Sequence, residues 1–332
     1  MITVSYRSAA LVEKLLRSLE AERGRSSGIE LTAVVVDNAS GDTPAIAEAI
    51  AREGWAHWAT LITSERNGGF AYGNNVGLEH VYRSGLRPDY FFLLNPDCEV
   101  RPHAVRGLVD FLEAHPEAGT AGPSLEYENG EPFPYAYRFP SWISEINHGL
   151  GLGLFTRLVE KRVVVRKMGD RCEEVDWYPG AAMMVRREVI DELGGMDEGY
   201  FLYYEETDFC LKVKRAGWSN WYVPSSRVVH LAGQSTGISN AKGHQRLPKY
   251  WFESRRRFFT KNMGPGYAMA ADVALVLAWS AGRVKLRLQR RDLGRPHFVT
   301  DLVKNSPLLS GNRALAPIRE YRPPRPVRSA CP

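Results

Sequence analysis

Short apolar segments alternate with amphipathic stretches along residues 1–127. Five of these segments have the length of a buried strand. Between them, apolar side chains recur at helical spacing, as Leu11, Leu15 and Leu19 do. Strands that alternate with helices predict an α/β fold with a doubly wound, mostly parallel sheet, whose ligands bind at the loops after the strands. The five segments are residues 2–6, 30–36, 58–63, 90–94 and 118–127.

The fourth apolar segment and the residues that end it are the most informative stretch. Tyr90 to Leu94 are apolar or aromatic without a break, which is typical of a strand buried on both faces. Pro96 cannot donate a ladder hydrogen bond, so the strand must end at Asn95 and present Asp97 at the carboxyl edge of the sheet. A carboxylate there is well placed to hold a divalent cation against a nucleotide diphosphate. The alternative is that Asn-Pro-Asp is only turn chemistry.

A glycine-rich loop follows the third segment, over residues 65–75. Its glycines lack the spacing of the dinucleotide fingerprint, and the loop lacks the lysine of a P-loop. Its backbone amides are suited to a diphosphate or ribose, and Arg66 adds a matching cation. The alternative is a flexible connection with capping asparagines such as Asn67. Because loops after parallel strands meet at one edge, we expect this loop beside Asp37 and Asp97.

The middle of the chain, residues 128–172, shows no clear period although it is rich in aromatic residues and glycine. Long irregular loops in compact domains are usually lids or binding loops, so we expect an acceptor-side flap here. Regular structure resumes after Trp177, where Gly180 and Ala181 precede an apolar strand. Small residues such as Gly180 and Ala181 let a ligand approach the backbone, and together with Trp177 they are the acceptor-binding candidates.

Three acidic residues crowd the first turn of a later predicted helix, which ends at Gly217. Glu205, Glu206 and Asp208 follow an aromatic run that begins at Tyr200. Aromatic surroundings desolvate a carboxylate and raise its pKa, which makes it a better base near neutral pH. We expect one of the acids to be a base and one or two to be structural. The alternative is that they only complement the helix dipole.

His230 ends the second of two short predicted strands, residues 221–224 and 228–231. On an apolar strand, a lone histidine is more often a satisfied core residue than a metal ligand, and from the strand alone both interpretations stay open. A flexible loop is predicted to follow at residues 233–237.

Charge divides the chain near residue 240. The net charge is +5, yet residues 241–332 contain 19 Lys and Arg against 5 Asp and Glu. We therefore predict an α/β domain over residues 1–240 and a basic helical extension over residues 241–332, whose end from residue 319 is disordered. The apolar helix at residues 268–281 is too short to span a bilayer. Together with the basic residues after it, it is typical of an interfacial helix on anionic lipid, the alternative being a helical pair packed on the domain.

Cysteine usage and the first residues bear on the compartment. The polar character begins at Ser5, unlike a secretory signal, and the cysteines have no metal-ligand spacing. These features favour a reducing, cytoplasmic setting. The four cysteines are Cys98, Cys172, Cys210 and Cys331.

Four motifs follow one another along the chain, namely Val35-Val36-Asp37-Asn38-Ala39-Ser40, Asn67-Gly68-Gly69-Phe70 with Gly73-Asn74-Asn75, Asn95-Pro96-Asp97, and Tyr204-Glu205-Glu206-Thr207-Asp208. As a set they resemble the family 2 glycosyltransferases of the GT-A fold, in particular the bacterial rhamnosyltransferase-like branch, over about residues 1–235. The resemblance implies an inverting transfer from a nucleotide-activated sugar, with L-rhamnose from dTDP-rhamnose as the first candidate. The implied acceptor is a cell-surface glycan or a polyprenyl-diphosphate-linked hydroxyl at the inner face of the cell membrane.

The resemblance also implies roles for individual residues. Asp97 would hold Mg²⁺ or Mn²⁺, and His230 lies where some relatives place a further metal ligand. Glu206 matches the acid that deprotonates the acceptor, with Glu205 as the alternative, and Asp37 would contact the base or ribose of the donor. The catalytic set is Glu205, Glu206 and Asp208, and the donor-binding set is Ser5, Tyr6, Asp37, Arg66, Asn67, Gly69, Asn74 and Asn95.

Two other function classes fit the sequence less well. A sugar-phosphate nucleotidyltransferase also uses an α/β nucleotide fold, but residues 5–8 lack its glycine-rich loop. A basic nucleic-acid-binding protein is opposed by the net charge of −9 over residues 1–240, where 33 acidic residues outnumber 24 basic ones, and by the lack of a recognisable reading module. We therefore expect a nucleotide sugar, a glycan or lipid-linked acceptor and peripheral membrane contact, and no nucleic acid.

Overall fold

The computed structural model of the chain describes residues 1–133, 135–231, 246–291, 295–310 and 321–324. The strands are β1 (Ile2–Ser5), β2 (Ala33–Asp37), β3 (Ala59–Thr63), β4 (Tyr90–Leu94), β5 (Cys98–Val100), β6 (Ala118–Glu126), β7 (Pro132–Phe133), β8 (Tyr135–Tyr137), β9 (Val165–Lys167), β10 (Glu173–Val175), β11 (Ala182–Arg186) and β12 (Ser219–His230). The helices are α1 (Ala9–Arg25), α2 (Thr43–Arg52), α3 (Gly69–Arg83), α4 (Ala104–Ala114), α5 (Trp142–Leu150), α6 (Gly153–Leu158), α7 (Arg187–Leu193), α8 (Glu205–Arg215), α9 (Lys249–Met263), α10 (Pro265–Leu288), α11 (Phe298–Asn305) and α12 (Pro307–Ser310).

Strands β1 to β4 form the predicted parallel group in the central sheet, and their order is β4, β1, β2, β3. Val34 pairs with Ile2, and Val35 pairs with Leu61. Val34 and Val36 pack on the face covered by α3, whereas Val35 packs on the opposite face with α1 and α2. This two-sided burial explains why the strands are continuous apolar runs. Their carboxyl ends meet at one edge of the sheet.

The fifth predicted strand, β6, does not lie next to β4. β11 lies between them and runs antiparallel to both, with Met184 opposite Phe92 on one side and Ala121 on the other. The sheet is therefore mixed and mostly parallel, as predicted, with β11 as an antiparallel insertion. A short apolar run buried on both faces does not reveal its pairing partner or its direction, so the sequence pattern could not show this insertion.

Strand β12 replaces the two short strands predicted over residues 221–231. It pairs parallel with β6, and its register shifts between Val223 and Arg227, a stretch that contains Pro224. Proline lacks a backbone N–H and is confined to irregular positions of this kind inside sheets. Beyond the shift, β12 pairs antiparallel with β5, and His230 lies opposite Cys98. His230 therefore lies beside the turn after β4.

The predicted irregular flap over residues 128–172 contains regular structure. β8 pairs antiparallel with β9, and two helices, α5 and α6, follow β8. Helix α5 begins at a capping box, in which the Ser141 and Ser144 side chains accept from each other's backbone N–H. Gly151 ends the helix in the left-handed conformation. These elements are too short to give a clear period in the sequence.

Buried ion pairs attach the C-terminal helices to the rest of the chain. Arg255 of α9 is fully buried and donates to Glu145 of α5 and Asp272 of α10. Arg257 of the same helix pairs with Asp197 at 2.9 Å. Removing one partner of a buried pair leaves an uncompensated charge, so these contacts fix where the helices lie. The predicted domain boundary lies outside the described residues and stays a prediction.

Most of the predicted disordered end, residues 319–332, lies outside the described residues, as does the predicted loop at 233–237. The described part, residues 321–324, contacts the sheet domain. Gly195 donates to the Tyr321 carbonyl at 2.8 Å, and the Tyr321 ring lies 6.1 Å from that of Tyr82. For these residues the prediction of disorder is wrong.

Candidate active site

The turn after β4 presents Asp97 at the expected edge of the sheet. Asn95 donates its backbone N–H to the Ala181 carbonyl at 2.8 Å, and the Cys98 N–H closes the turn on the Asn95 carbonyl at 3.2 Å. Asp97 is buried, and its Oδ1 has no hydrogen-bond partner among the described residues. A buried carboxylate oxygen without a partner destabilises the chain unless a cation or donor reaches it. The turn therefore favours ligand binding over turn chemistry alone.

His230 supplies a second candidate metal ligand. Its Nε2 lies 3.5 Å from Asp97 Oδ1, because β5 pairs with the end of β12. A carboxylate oxygen and an imidazole nitrogen this close suit a divalent cation. The Cys98 sulfur belongs to the same cluster. However, its thiol donates to the Ala181 carbonyl, and burial and the Asp97 charge raise the pKa of Cys98 well above its ordinary value. Asp97 and His230 are thus the better ligand pair.

The loop after β1 places Tyr6 and Arg7 at the same edge. The Ser5 hydroxyl is buried and shares a hydrogen bond with Ser8 Oγ at 2.9 Å, which shapes the loop, and the predicted donor contact of Ser5 stays a prediction. Tyr6 is exposed, and the Arg7 guanidinium lies 5.4 Å from its ring centroid. Arg7 has a left-handed φ of 54°, which is uncommon for a residue other than glycine. Sequence reasoning missed Arg7, although a lone cation directly after a strand was a usable signal.

The Asp37 carboxylate serves its own loop. Oδ1 accepts from the backbone and hydroxyl of Ser40 at 2.9 and 2.6 Å, and Oδ2 accepts from those of Thr43 at 3.0 and 2.5 Å. Burial opposes ionisation, but these hydrogen bonds outweigh it and lower the pKa of Asp37. Four donors fill the acceptor sites of a carboxylate. The predicted contact of Asp37 with the donor base or ribose stays a prediction, and these hydrogen bonds show that the carboxylate also holds the loop after β2.

Two asparagines organise the loop that leads into α3. Asn38 Nδ2 donates to Asn67 Oδ1 at 3.0 Å and to the Gly69 carbonyl at 3.1 Å. Asn67 Oδ1 also accepts from the Gly69 N–H at 3.2 Å. Helix α3 begins at Gly69, so the predicted loop over residues 65–75 is shorter than expected. Asn38 is absent from the predicted donor set, although it follows Asp37 directly in the first motif.

Arg66 and Asn74 differ in their access to this edge. Asn74 is buried within α3, and its amide donates to the Phe70 carbonyl at 3.0 Å. This hydrogen bond gives Asn74 a structural role within α3, and its predicted donor contact stays a prediction. Arg66 is exposed, and its guanidinium stacks 4.4 Å from the Tyr72 ring centroid. A stacked guanidinium keeps its N–H groups free in its own plane, where phosphate oxygens can accept from them.

Gly69 joins the donor-side loop to the segment that carries the acids. The Phe70 N–H donates to the Phe201 carbonyl at 2.9 Å. Gly69 has a φ of 87°, and a Cβ at this position would lie 1.9 Å from the Phe201 carbonyl oxygen. Glycine alone fits both the backbone conformation and the close approach. The two loops are thereby held against each other.

Gly69→Ala should lower the free energy of unfolding by about 3 kcal/mol or more, because it adds a backbone clash to the strain of a positive φ. Gly85→Ala is a matched control. Gly85 has a φ of 81°, but no heavy atom lies within 4 Å of its would-be Cβ, so we expect a loss of only about 1 kcal/mol. Urea unfolding followed by circular dichroism measures both variants. Equal losses would contradict the close contact.

The predicted acids begin helix α8, directly after two residues with unusual backbone conformations. Tyr203 and Tyr204 have φ values of 71° and 69°. Left-handed aromatic residues are rare, and such strain persists where the surrounding structure holds it, often at functional sites. Glu205 is buried after this turn, whereas Glu206 lines a cavity.

The two glutamates have different protonation behaviour. Burial and the nearby Glu206 carboxylate raise the pKa of Glu205 well above its usual range. Burial raises the pKa of Glu206 to about 7, and the backbone N–H groups of Gly180 and Thr207 oppose this rise. Burial thus favours the protonated form of Glu205, while a pKa of about 7 lets Glu206 exchange a proton readily near neutral pH. This difference favours Glu206 as the base.

Asp208 is not available as a base. Its Oδ2 accepts from Lys261 Nζ at 2.7 Å, and its Oδ1 accepts from Asn262 Nδ2 at 2.6 Å. Lys261 also pairs with Asp197, so Asp208 attaches α8 to α9. Its place in the catalytic set is corrected to a structural one. No local pattern could show this, because both partners lie more than 50 residues away along the chain.

A cavity of about 360 Å³ opens beside Glu206, and Trp177, Tyr203 and Trp251 give it aromatic walls. The Trp177 ring stacks on that of Tyr137 with centroids 4.3 Å apart, which fixes its orientation. This volume lies in the range of small-ligand sites, and aromatic walls are typical of them. Trp177 thus borders the cavity that Glu206 lines, and its predicted acceptor contact stays a prediction.

The chain just before β11 connects the two acids. A Cβ on Gly180 would lie 3.3 Å from Glu206 Cβ, so the Gly180 backbone borders the glutamate directly. Ala181 is buried, and its carbonyl accepts from Asn95. Ala181 is therefore a link in the core and not an acceptor contact, which corrects its prediction. Through these two residues, Asp97 and Glu206 both lie near the carboxyl-terminal end of β4.

Comparison with known proteins bears on this arrangement. The profile of the family described as Glycosyl transferase family 2 matches residues 1–194, more than half of the chain. The chain belongs to this family. In this family 2 member, the matched region contains Asp97 and the donor-side loops, whereas Glu206 and His230 lie beyond its end.

Two curated relatives of this family 2 member are rhamnosyltransferases. The N-acetylglucosaminyl-diphospho-decaprenol L-rhamnosyltransferase of Mycobacterium tuberculosis is 34% identical over 153 residues, which cover 45% of this chain and 49% of the relative. The rhamnosyltransferase WbbL of Escherichia coli is 28% identical over 167 residues, which cover 49% of this chain and 61% of the relative. The chain thus spans about half to three fifths of the length of these relatives. The predicted resemblance to the rhamnosyltransferase-like branch is confirmed.

A solved structure supports the fold. The mannosyltransferase PcManGT from Pyrobaculum calidifontis, in complex with GDP-Man and Mn²⁺, superposes with a TM-score of 0.52. The superposition covers 87% of this chain and 74% of the mannosyltransferase, at 16% sequence identity. Likeness at this identity concerns the fold alone, and it confirms the predicted GT-A type.

Proposed function

We propose that this family 2 member transfers a sugar from a nucleotide diphosphate to an acceptor hydroxyl, with inversion at the anomeric carbon. The supporting observation is the connection just before β11, where Ala181 bonds to Asn95 and Gly180 borders Glu206. It brings a carboxylate suited to a cation and a carboxylate suited to proton transfer to one edge of the sheet. Those are the two functions that hydroxyl attack on a nucleotide sugar requires.

On the donor side, Asp97 and His230 would hold Mg²⁺ or Mn²⁺. When bound, the cation neutralises charge that develops on the departing diphosphate. The orphaned Asp97 Oδ1 supports this assignment. Arg7 and Arg66 are exposed at the same edge and would donate to phosphate oxygens, while the exposed face of Tyr6 would pack against the nucleotide.

On the acceptor side, Glu206 would remove the hydroxyl proton as the oxygen attacks the anomeric carbon. A pKa of about 7 keeps a large fraction of Glu206 ionised at neutral pH and still makes it a competent base. Attack from the side opposite the departing diphosphate inverts the configuration. Trp177 and Trp251 would fix the acceptor and exclude water from the cavity.

The first candidate donor is dTDP-L-rhamnose, with UDP-linked sugars next. Support comes from the two rhamnosyltransferase relatives. The first candidate acceptor is a sugar linked to a polyprenyl diphosphate, because the Mycobacterium tuberculosis relative is named for such an acceptor. A cell-surface glycan is the second candidate. Such acceptors would place the reaction at the inner face of the cell membrane.

The full chain should release nucleoside diphosphate from one donor of a panel only when Mg²⁺ or Mn²⁺ is present. We expect dTDP-L-rhamnose to react fastest with a polyprenyl-diphosphate-linked N-acetylglucosamine. Chelation should reduce the rate by about a hundredfold or more, since a cation contributes several kcal/mol at a developing charge. Product formation is followed by mass spectrometry. Pyrophosphate release from a nucleoside triphosphate and a sugar phosphate would instead identify a nucleotidyltransferase. If none of the nucleotide sugars in the panel reacts, that result would also contradict the proposal.

A further inference from the structure

Helix α10 exposes an apolar stripe along its length. Val273, Leu277, Val284 and Leu288 are spaced four, seven and four residues apart, which places them on one helical face. Leu277 is 65% exposed and Leu288 is 81% exposed. Helices on a globular surface normally turn such a stripe toward the core. Here the opposite face of α10 already packs inward, so the stripe is a second apolar face.

Helix α5 extends this face. The Trp142 N–H donates to the Tyr267 hydroxyl at one end of α5. At the other end, a Cβ on Gly282 would lie 2.3 Å from the Gly149 carbonyl oxygen, so the two helices run side by side in the same direction. Between them lies an open groove of about 740 Å³ with an entirely apolar lining. It includes Trp142, Ile146, Leu150, Val273, Leu277 and Ala281.

Helix α6 adds two further leucines beside the end of α10. Lys285 Nζ donates to the Gly151 carbonyl at 2.7 Å, which places the start of α6 next to the C-terminal part of α10. Leu154 is 83% exposed and Leu158 is 82% exposed, one helical turn apart. Contiguous exposed apolar side chains of this extent mark interaction sites on soluble domains.

Positive charge borders the apolar face at one end. Five basic residues follow within and just after the last turns of α10, and no acidic side chain of the described residues pairs with them. Helices α5, α6 and α10, all fully described, carry no exposed acidic residue, because Glu145 and Asp272 are buried against Arg255. The five basic residues are Arg283, Lys285, Arg287, Arg290 and Arg291.

We propose that the face formed by α5, α6 and α10 docks on an anionic lipid bilayer. No helix in the described ranges meets the length and hydropathy needed for a membrane span, so the contact is interfacial. The apolar stripe and groove would enter the acyl boundary, and the five basic residues would meet headgroup phosphates. A second copy of the chain is a poorer partner, because the same face offers no acidic group to neutralise the basic end.

Docking would also orient the candidate active site. Glu145 and His148 line the Glu206 cavity, while Trp142 and Ile146 of the same helix line the apolar groove. The cavity would therefore lie about one helix diameter, roughly 10 Å, from the lipid surface. This step rests on the proposed function, since it explains how a lipid-linked acceptor reaches the base without leaving the membrane.

Leu277→Glu should reduce partition of the full chain onto phosphatidylglycerol-containing vesicles by about tenfold or more, because it puts a charge into the apolar face. Leu86→Glu is the matched control. Leu86 is also exposed but precedes the amino-terminal end of β4, so we expect no change. Vesicle co-sedimentation measures both. Binding of the unaltered chain should weaken on phosphatidylcholine-only vesicles and at high salt.

Three outcomes would overturn the docking surface. The first is vesicle binding that Leu277→Glu leaves unchanged, and the second is an equal loss of vesicle binding in the Leu86→Glu control. The third is an unaltered chain that does not bind vesicles but forms a dimer in sedimentation velocity, with the dimer lost in Leu277→Glu. Transfer to a short soluble acceptor separates this inference from the proposed function. If Leu277→Glu keeps that transfer but no longer binds vesicles, both the docking surface and the sugar transfer are supported. If the unaltered chain binds vesicles but transfers no sugar, only the enzymatic proposal is contradicted.

Discussion

Glu206→Gln should reduce sugar transfer by about 10²- to 10⁴-fold and leave donor affinity nearly unchanged. Glutamine preserves the shape of the side chain but cannot accept the acceptor's proton, and general base catalysis contributes in this range. The donor-side groups, among them Asp97 and Arg66, are untouched by the change. The measurements are kcat at saturating donor and acceptor, and the donor Kd by titration in the presence of Mn²⁺.

The same assignment fixes the pH profile. Burial raises the pKa of Glu206 to about 7, and the ionised carboxylate is the active form. Activity should therefore be constant above this value and be lost as the pH falls through it, by about tenfold per pH unit. In Glu206→Gln the residual rate should no longer follow this curve.

Glu205→Gln is the matched control for this prediction. Burial and the Glu206 charge raise the pKa of Glu205 and favour its neutral form, so a neutral amide of the same shape should change little. We expect most of the transfer activity to remain. A large loss in Glu205→Gln with normal activity in Glu206→Gln would move the base to Glu205 and contradict the assignment.

Residues whose position in the fold is determined by their sequence neighbours could be predicted. The run Tyr90–Leu94 followed by Pro96 determines a buried strand with a fixed end, and Asp97 lies where that pattern predicts. Glu206 was also identifiable, because an aromatic run leads into the acids at a helix start. In both cases the information lies within about ten neighbouring residues.

Features that depend on distant partners could not be predicted. β11 inserts between β4 and β6 through pairings such as Met184 with Phe92, which lie 92 residues apart along the chain. Asp208 resembles the other two acids in the sequence, yet Lys261 and Asn262 remove it from the site. Burial and pairing of this kind arise only when the chain folds.

Asp37 shows a different limit. Its motif predicts an acid at a ligand-binding edge, and the acid is there, but Ser40 and Thr43 occupy all its acceptor sites. Position in a motif therefore identifies a loop more reliably than it identifies which atom of the loop meets the ligand. By that reasoning, the orphaned Oδ1 of Asp97 carries more weight than the motif that contains it.

Asp97→Asn should reduce Mn²⁺-dependent donor affinity by about a hundredfold or more. The change removes the carboxylate charge that, with His230 Nε2 at 3.5 Å, would hold the cation. The variant should still fold, because a neutral amide replaces a buried carboxylate oxygen that has no hydrogen-bond partner among the described residues. The measurements are the donor Kd with Mn²⁺ and with EDTA, together with the Tm in both conditions.

The Tm distinguishes a variant that no longer binds the cation from a variant that no longer folds. Without metal, Asp97→Asn should melt at or above the temperature of the unaltered chain, and Mn²⁺ with donor should raise the Tm of the unaltered chain only. His230→Gln removes one metal ligand and keeps the carboxylate, so its donor affinity should lie between those of the unaltered chain and Asp97→Asn. A normal Mn²⁺-dependent Kd in Asp97→Asn would falsify the cation assignment. It would leave Glu206 as the base of a metal-independent transfer, in which Arg7 and Arg66 face the diphosphate.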